Sequence, residues 1–334
     1  MKNKIGIKRF EFYLVKLEVL LLKSSEDKNP ALWLYTNGAR TPLFMLESLA
    51  KLYSYLHNRK RFEKIKLQFK FLEDTLGAID YYDGFAKEFV NNPAIPTGVT
   101  EYLHAQTREK IQRLNDLLIE NKWIGDRANR IEKIRKKLYD TDWLEPKEEL
   151  KAIFNFYKTS ISNIKEFITA AGDNFTEIES QVHTLRRKLR WLSIYPQSLQ
   201  GIVQLNTSGV TRDTLLKYLT PEIVNSPFNK MPEAGDNSYF LLLEKNYFLA
   251  LSWMIAELGK LKDNGLRVLV ITEALQQTEG LSRLDALNKA YDILGGDKDA
   301  LQKILANANA IIKTYLEEKN LDKLIYGVTS SKKV

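Results

Sequence analysis

His183-Thr184-Leu185-Arg186-Arg187-Lys188-Leu189-Arg190 is the stretch on which the reading of this chain turns. On an α-helix His183, Arg186, Arg187 and Arg190 fall at i, i+3, i+4 and i+7, so their side chains share one face. Ile178, Val182, Leu185, Leu189 and Leu192 take the other side, giving an amphipathic helix with a cationic ridge. No acidic residue interrupts the ridge between 183 and 190. Like charges at this spacing repel by a few tenths of a kcal/mol per pair, roughly. A bound polyanion would offset that repulsion, as would salt bridges from neighbouring helices or simple solvation.

Outward from this helix, a period of 3.6 residues dominates the chain from end to end. The spacing predicts helices over roughly 8–24, 30–36, 41–57, 60–76, 78–91 and 98–122, and again over roughly 126–140, 145–171, 174–205, 211–219, 238–263, 266–278, 281–294 and 297–319. Their ends are marked. Asn91-Asn92-Pro93 stops one helix, Thr220-Pro221 starts another with an N-cap and a proline, and Gly295-Gly296-Asp297 is a stop followed by a fresh cap. Val268-Leu269-Val270-Ile271 could form a strand, but its helical neighbours favour helix. No alternating strand pair joined by a hairpin turn is visible. Residues 218–238, with Pro221, Pro227, Pro232 and Gly235, form the longest irregular connection.

The expected architecture is therefore all-α, with two antiparallel helical bundles. The expected division is an N-terminal half over 1–140, a C-terminal half over 141–325 that carries the His/Arg helix, and a flexible tail over 326–334. A single compact domain also fits the length of 334 residues. The net charge of +8 favours anionic partners. The chain has no cysteine, which excludes disulfides, thiolate nucleophiles and cysteine metal sites. Near the N-terminus Lys16 and Glu18 interrupt the apolar run, so that segment reads as an amphipathic core helix and not as a signal peptide. No uncharged stretch approaches the roughly 18 residues that a membrane span needs. A cytoplasmic location is the resulting expectation.

A weak echo links the halves. Leu72-Glu73-Asp74-Thr75-Leu76-Gly77-Ala78-Ile79-Asp80 and Met254-Ile255-Ala256-Glu257-Leu258-Gly259-Lys260-Leu261-Lys262-Asp263 each carry an acidic residue, then Leu-Gly, then an Asp four or five residues after the Leu. A glycine within a helix costs about 1 kcal/mol against alanine, so two at matching points suggest close helix approach. Coincidence is the other reading, since Leu-Gly is a common dipeptide.

Val182-His183-Thr184-Leu185-Arg186-Arg187-Lys188-Leu189-Arg190-Trp191 resembles the signature helix of the conserved-histidine α-helical domain (CHAD) family. His183, Arg186, Arg190 and Trp191 match its pattern in order, and Leu258-Gly259-Lys260-Leu261-Lys262-Asp263 matches a second family element on a following helix. Leu76-Gly77-Ala78-Ile79-Asp80 matches the first-half counterpart only in part, because Asp80 stands where a basic residue belongs. The resemblance implies paired four-helix bundles with approximate pseudo-two-fold symmetry, and a non-catalytic module that holds inorganic polyphosphate on basic residues. It departs in the first half. The helix over 41–57 has Lys51 and His57 but no arginine stripe, which marks a degenerate member with half of its anion site changed.

Guanidinium groups suit phosphate because their fork donates two parallel hydrogen bonds. The candidate anion-binding residues are His183, Arg186, Arg187 and Arg190, with Lys260 and Lys262 in a secondary role. Phosphate or polyphosphate is the expected partner. A helical scaffold that works through protein contacts is the alternative, and a nucleic-acid backbone binder using Arg127, Arg130, Lys133, Arg135, Lys136 and Lys137 is a further one. Arg59-Lys60-Arg61 with Lys64 and Lys66 forms another basic run. There is no P-loop, dinucleotide fingerprint or His-Glu-x-x-His motif. Enzymatic activity, a cofactor and a metal are accordingly not expected. Asp80 and Asp83, with Glu73 and Asp74, could hold a divalent ion that bridges phosphate, but a polar helix face is the preferred reading.

Overall fold

The computed structural model describes residues 5–330 apart from 173, 208, 210 and 211. The fold is predominantly helical and divides into two compact units.

The first unit comprises Met1–Trp143 and Val268–Asp297. It holds α1 (Ile5–Ser25), α2 (Pro30–Thr36), α3 (Arg40–Leu56), α4 (Arg59–Phe89), α5 (Thr97–Glu120) and α6 (Arg130–Tyr139). Local chemistry sets several boundaries. Asn29 caps α2 by accepting from the Leu32 amide, ahead of Pro30 at the first helical position. Asn58 caps α4 in the same way through the Arg61 amide. Only His57 and Asn58 separate α3 from α4, so the two helices fold back on each other. Phe10, Tyr53, Phe62 and Trp143 meet with ring centroids 5.1–6.2 Å apart and form an aromatic core. Residues 60–76 and 78–91 form one helix and not two, because Gly77 lies in its middle without breaking it.

The second unit comprises Leu144–Arg267 and Lys298–Val334. It contains α7 (Pro146–Ala170), a π-helical turn (Ile178–His183) running into α8 (Thr184–Ser198), then β1 (Val203–Asn206), α9 (Asp213–Leu216), α10 (Pro221–Val224) and β2 (Tyr239–Glu244). The long helix α11 (Lys245–Glu279) follows; it belongs to this unit as far as Arg267 and to the first unit beyond it. Next in the chain come α12 (Arg283–Ile293), in the first unit, and α13 (Ala300–Glu317) and β3 (Ile325–Ser330), in the second.

A small three-stranded sheet, absent from the helical reading of the sequence, accompanies the helices. β1 pairs parallel with β2, and β2 pairs antiparallel with β3. The predicted helix over 174–205 therefore ends at Ser198, and the one over 238–263 begins only at Lys245. Phe240-Leu241-Leu242-Leu243 is an unbroken apolar run in the central strand, and such a run carries no period that separates strand from helix. Its partners come from more than 30 residues before it and about 80 after it, so no hairpin turn advertises the pairing. Of the expected tail over 326–334, residues up to Ser330 lie in the edge strand β3, and 331–334 lie outside the described residues.

The first unit draws on two separate stretches of the chain. Residues 268–297 belong to the first unit. The hydroxyls of Tyr82 on α4 and Tyr102 on α5 both donate to Glu273 Oε1, at 2.9 and 2.7 Å, and tie the end of α11 into that unit.

Candidate functional site

Leu185, Leu189 and Leu192 are fully buried and seat α8 in the second unit. That orientation turns the stripe of basic residues away from the core, but the side chains do not act alike. Arg186 lies back on α11, where its Nε donates to the Ile255 carbonyl at 3.2 Å. Gly259 makes this approach possible, because a Cβ there would stand 3.0 Å from Nε. Burial lowers the pKa of Arg186 and the nearby Asp263 carboxylate opposes the shift; the group stays cationic at neutral pH. Among the described residues no carboxylate lies within ion-pair distance of this guanidinium.

Arg187, one residue on, is exposed, whereas Arg190 is half-buried beside Trp191, whose ring stacks on Tyr195 at 6.1 Å. His183 Nδ1 lies 2.7 Å from Glu179 Oε1, one turn earlier. His183 is the main cause holding the Glu179 pKa below its usual range; burial opposes the shift, and Lys262 and Arg187 reinforce it. A single carboxylate thus serves three members of the basic group. Glu179 lies on the same face as His183 by its i−4 spacing, just outside the window that reads as purely basic.

The lysines on α11 are also paired. Lys260 is exposed and contacts Glu257 at 2.6 Å, which raises its pKa. Lys262 contacts Asp263 at 2.6 Å. Of the candidate anion-binding residues, His183, Lys260 and Lys262 therefore each have a carboxylate partner.

The first unit contains the same local arrangement with the opposite electrostatic outcome. Arg40, the first residue of α3, packs over Gly77 of α4, where a Cβ would stand 3.2 Å from Nη2. It donates to Glu73 Oε1 through Nε at 3.2 Å and Nη2 at 2.8 Å, and to Asp80 Oδ2 through Nη1 at 2.6 Å. Glu73 stands four residues before Gly77, and Ile255 stands four residues before Gly259. An arginine over a Leu-Gly step thus occurs twice, satisfied by two carboxylates in one unit and by a backbone carbonyl in the other. Sequence reasoning missed Arg40 because the predicted helix began at residue 41.

The remainder of the α3–α4 face is self-neutralised. Ser54 donates to Glu63, which also pairs with Lys66, and Lys70 pairs with Asp74. Glu47 lies among these groups, 4% exposed. Burial pushes its carboxyl up to about 7; Lys70 opposes the shift, Glu73 and Asp74 add to it, and Lys51 opposes it. Asp83 accepts from the Tyr35 hydroxyl at 2.7 Å and from Lys87 at 2.6 Å. No group of acidic and histidine side chains among the described residues is arranged to hold a metal ion.

The other basic clusters contain arginines with structural roles. Arg61 donates to the Asp140 carbonyl at 2.7 Å and to Thr141 Oγ1 at 3.1 Å. Arg135 binds Glu11, Glu18 and Glu132, each at 2.7 Å. Compared with protein-family models, with characterised proteins and with solved structures, the chain shows no match.

Proposed function

We propose that the second unit binds a phosphate-rich polyanion, inorganic polyphosphate or a phosphate-like anion, without catalysis. In this reading the chain is a divergent member of the conserved-histidine α-helical family, its two units descend from one pseudo-symmetric pair, and the first has replaced its anion contacts with carboxylates. Arg186 carries the proposal. Its guanidinium is held in place by Ile255 and Gly259 yet has no carboxylate partner among the described residues, whereas Arg40 in the equivalent niche has two. A cation positioned in advance loses little side-chain freedom on binding, and its remaining N–H groups suit phosphate oxygens. Arg187, Arg190 and His183 extend the contact along α8, with Lys260 and Lys262 further out.

Titration with polyphosphate over a series of salt concentrations tests this. Affinity should fall as salt rises, through release of counterions. Arg186→Ala with Arg190→Ala should weaken binding about thirtyfold, at about 1 kcal/mol for each partly hydrated contact, and should flatten the salt dependence. Lys260→Ala should change little, because Glu257 already holds that ammonium. Unaltered affinity in the double variant would remove α8 from the site.

A second substitution probes the same electrostatics in the opposite direction. Glu179→Gln removes a carboxylate that His183, Lys262 and Arg187 all act on. Polyphosphate affinity should rise about fivefold, equivalent to about 1 kcal/mol for one charge near the surface. A decrease or no change would mean that the anion does not pass over this end of α8.

The pairing of His183, Lys260 and Lys262 with carboxylates favours a second reading, a helical protein-interaction module whose anion site is closed. Absence of polyphosphate binding by the intact chain even at low salt would select it.

A further inference from the structure

Helix α1 buries Ile7, Phe10, Leu14, Leu17 and Leu21, as an amphipathic core helix should. It also carries a second apolar stripe that the described residues leave about half exposed. Phe12, Val15, Val19 and Leu22 recur at i, i+3, i+7 and i+10, which places them on one face. They are 47%, 46%, 45% and 62% exposed. Together they present roughly 300 Å² of apolar surface, the size at which a contiguous patch marks an interaction site.

The charges around this stripe are mostly positive, with Glu26, exposed one residue past the end of α1, an exception. Lys8, Lys16 and Lys23 are exposed along it, and the Lys16 ammonium sits 4.0 Å from the centre of the Phe12 ring. The acidic residues of α1 that would balance them, Glu11 and Glu18, are drawn aside by Arg135 of α6, which binds Glu132 as well. The outward side of α6 adds Lys133 and Lys136, both exposed. Among the described residues no carboxylate lies within ion-pair distance of these five lysines.

We infer that this face of α1 docks the protein on the surface of a lipid bilayer rich in anionic headgroups. The aliphatic and aromatic stripe would enter the boundary between headgroups and acyl chains, and the lysines would reach out to the phosphates and carboxylates. Lysine is a flexible point charge, suited to mobile headgroups and not to one fixed bidentate partner. A second copy of the chain fits less well: in an antiparallel pairing centred on Val15 and Lys16, Lys8 of one helix would face Lys23 of the other. No helix of the described residues is long and apolar enough to cross a membrane, so the contact would lie in the plane of the surface.

The experiment is co-sedimentation of the full chain with phosphatidylcholine vesicles, with and without phosphatidylserine, at low and high salt. Binding should be at least about tenfold tighter with the anionic lipid and should weaken with salt. Phe12→Ser with Val19→Ser, both at exposed positions, should lower it about tenfold, as should Lys8→Glu with Lys16→Glu. Arg186→Ala with Arg190→Ala should leave it intact, which separates this face from the anion site on α8. Equal partition into neutral and anionic vesicles, or retention by the Phe12/Val19 variant at wild-type level, would overturn the assignment. So would concentration-dependent dimerisation in sedimentation velocity that Phe12→Ser abolishes, since that would make the stripe a contact between copies.

Discussion

Arg40→Ala is expected to destabilise the first unit by about 3 kcal/mol, at the lower end of the cost of breaking a buried ion pair. The effect lies mainly in the residue left behind. The Glu73 side chain is only 6% exposed and accepts from two nitrogens of Arg40, so removing the guanidinium leaves a buried carboxylate without that partner. Asp80 adds little, being 55% exposed and well hydrated when released. Hydrogen exchange in α3 and α4 reads the change within the first unit, free of contributions from the second. Adding Glu73→Gln should restore most of the lost protection, because the uncompensated charge disappears with it. Protection within about 0.5 kcal/mol of wild type in the single variant would show that the pair is stabilised elsewhere.

Glu47→Gln should stabilise the first unit at alkaline pH by about 3 kcal/mol, and this gain should vanish in acid. The Glu47 carboxyl titrates near 7 in the folded chain against 4.5 when unfolded, chiefly because burial penalises its charge. The folded state therefore binds its proton more tightly than the unfolded state does. Below about pH 4.5 both states are protonated and Glu47 costs nothing. Between about pH 4.5 and 7 stability falls by about 1.4 kcal/mol per pH unit, and above that the loss is complete. Glutamine cannot ionise, so the variant should escape this slope while sharing every other titration. Denaturation of both proteins at intervals from acid to mildly alkaline pH measures the difference. A gap that stays constant with pH would place the Glu47 carboxylate in solvent or against a cation.

Both predictions concern the same helix pair, and they show how much of the site could be read in advance. The Leu-Gly echo is a local pattern, and the cost of placing glycine inside a helix makes it a sign of close helix approach; that an arginine packs over each glycine is seen only in the fold. The amphipathicity of α8 is equally local: Leu185, Leu189 and Leu192 are buried as their spacing requires. The charge state of each arginine is another matter. Glu73 and Asp80 stand 33 and 40 residues from Arg40, and Ile255 stands 69 residues from Arg186. No window along the chain contains both members of any of these pairs.

The sheet makes the same point for the backbone. Gln204, Leu242 and Gly327 lie side by side across three strands, yet each comes from a segment whose own residues suit helix or loop as readily as strand. Caps at Asn29 and Asn58, the stop at Gly295-Gly296 and the 3.6-residue apolar period act over a single turn, so composition alone determined where most helices start and which face they bury. Strand pairing, the assignment of residues 268–297 to the first unit and the neutralisation of one arginine but not the other depended on which distant segments came together. Hydrogen bonds and charges act through space over a few ångströms, and only the folded chain decides which groups are that close.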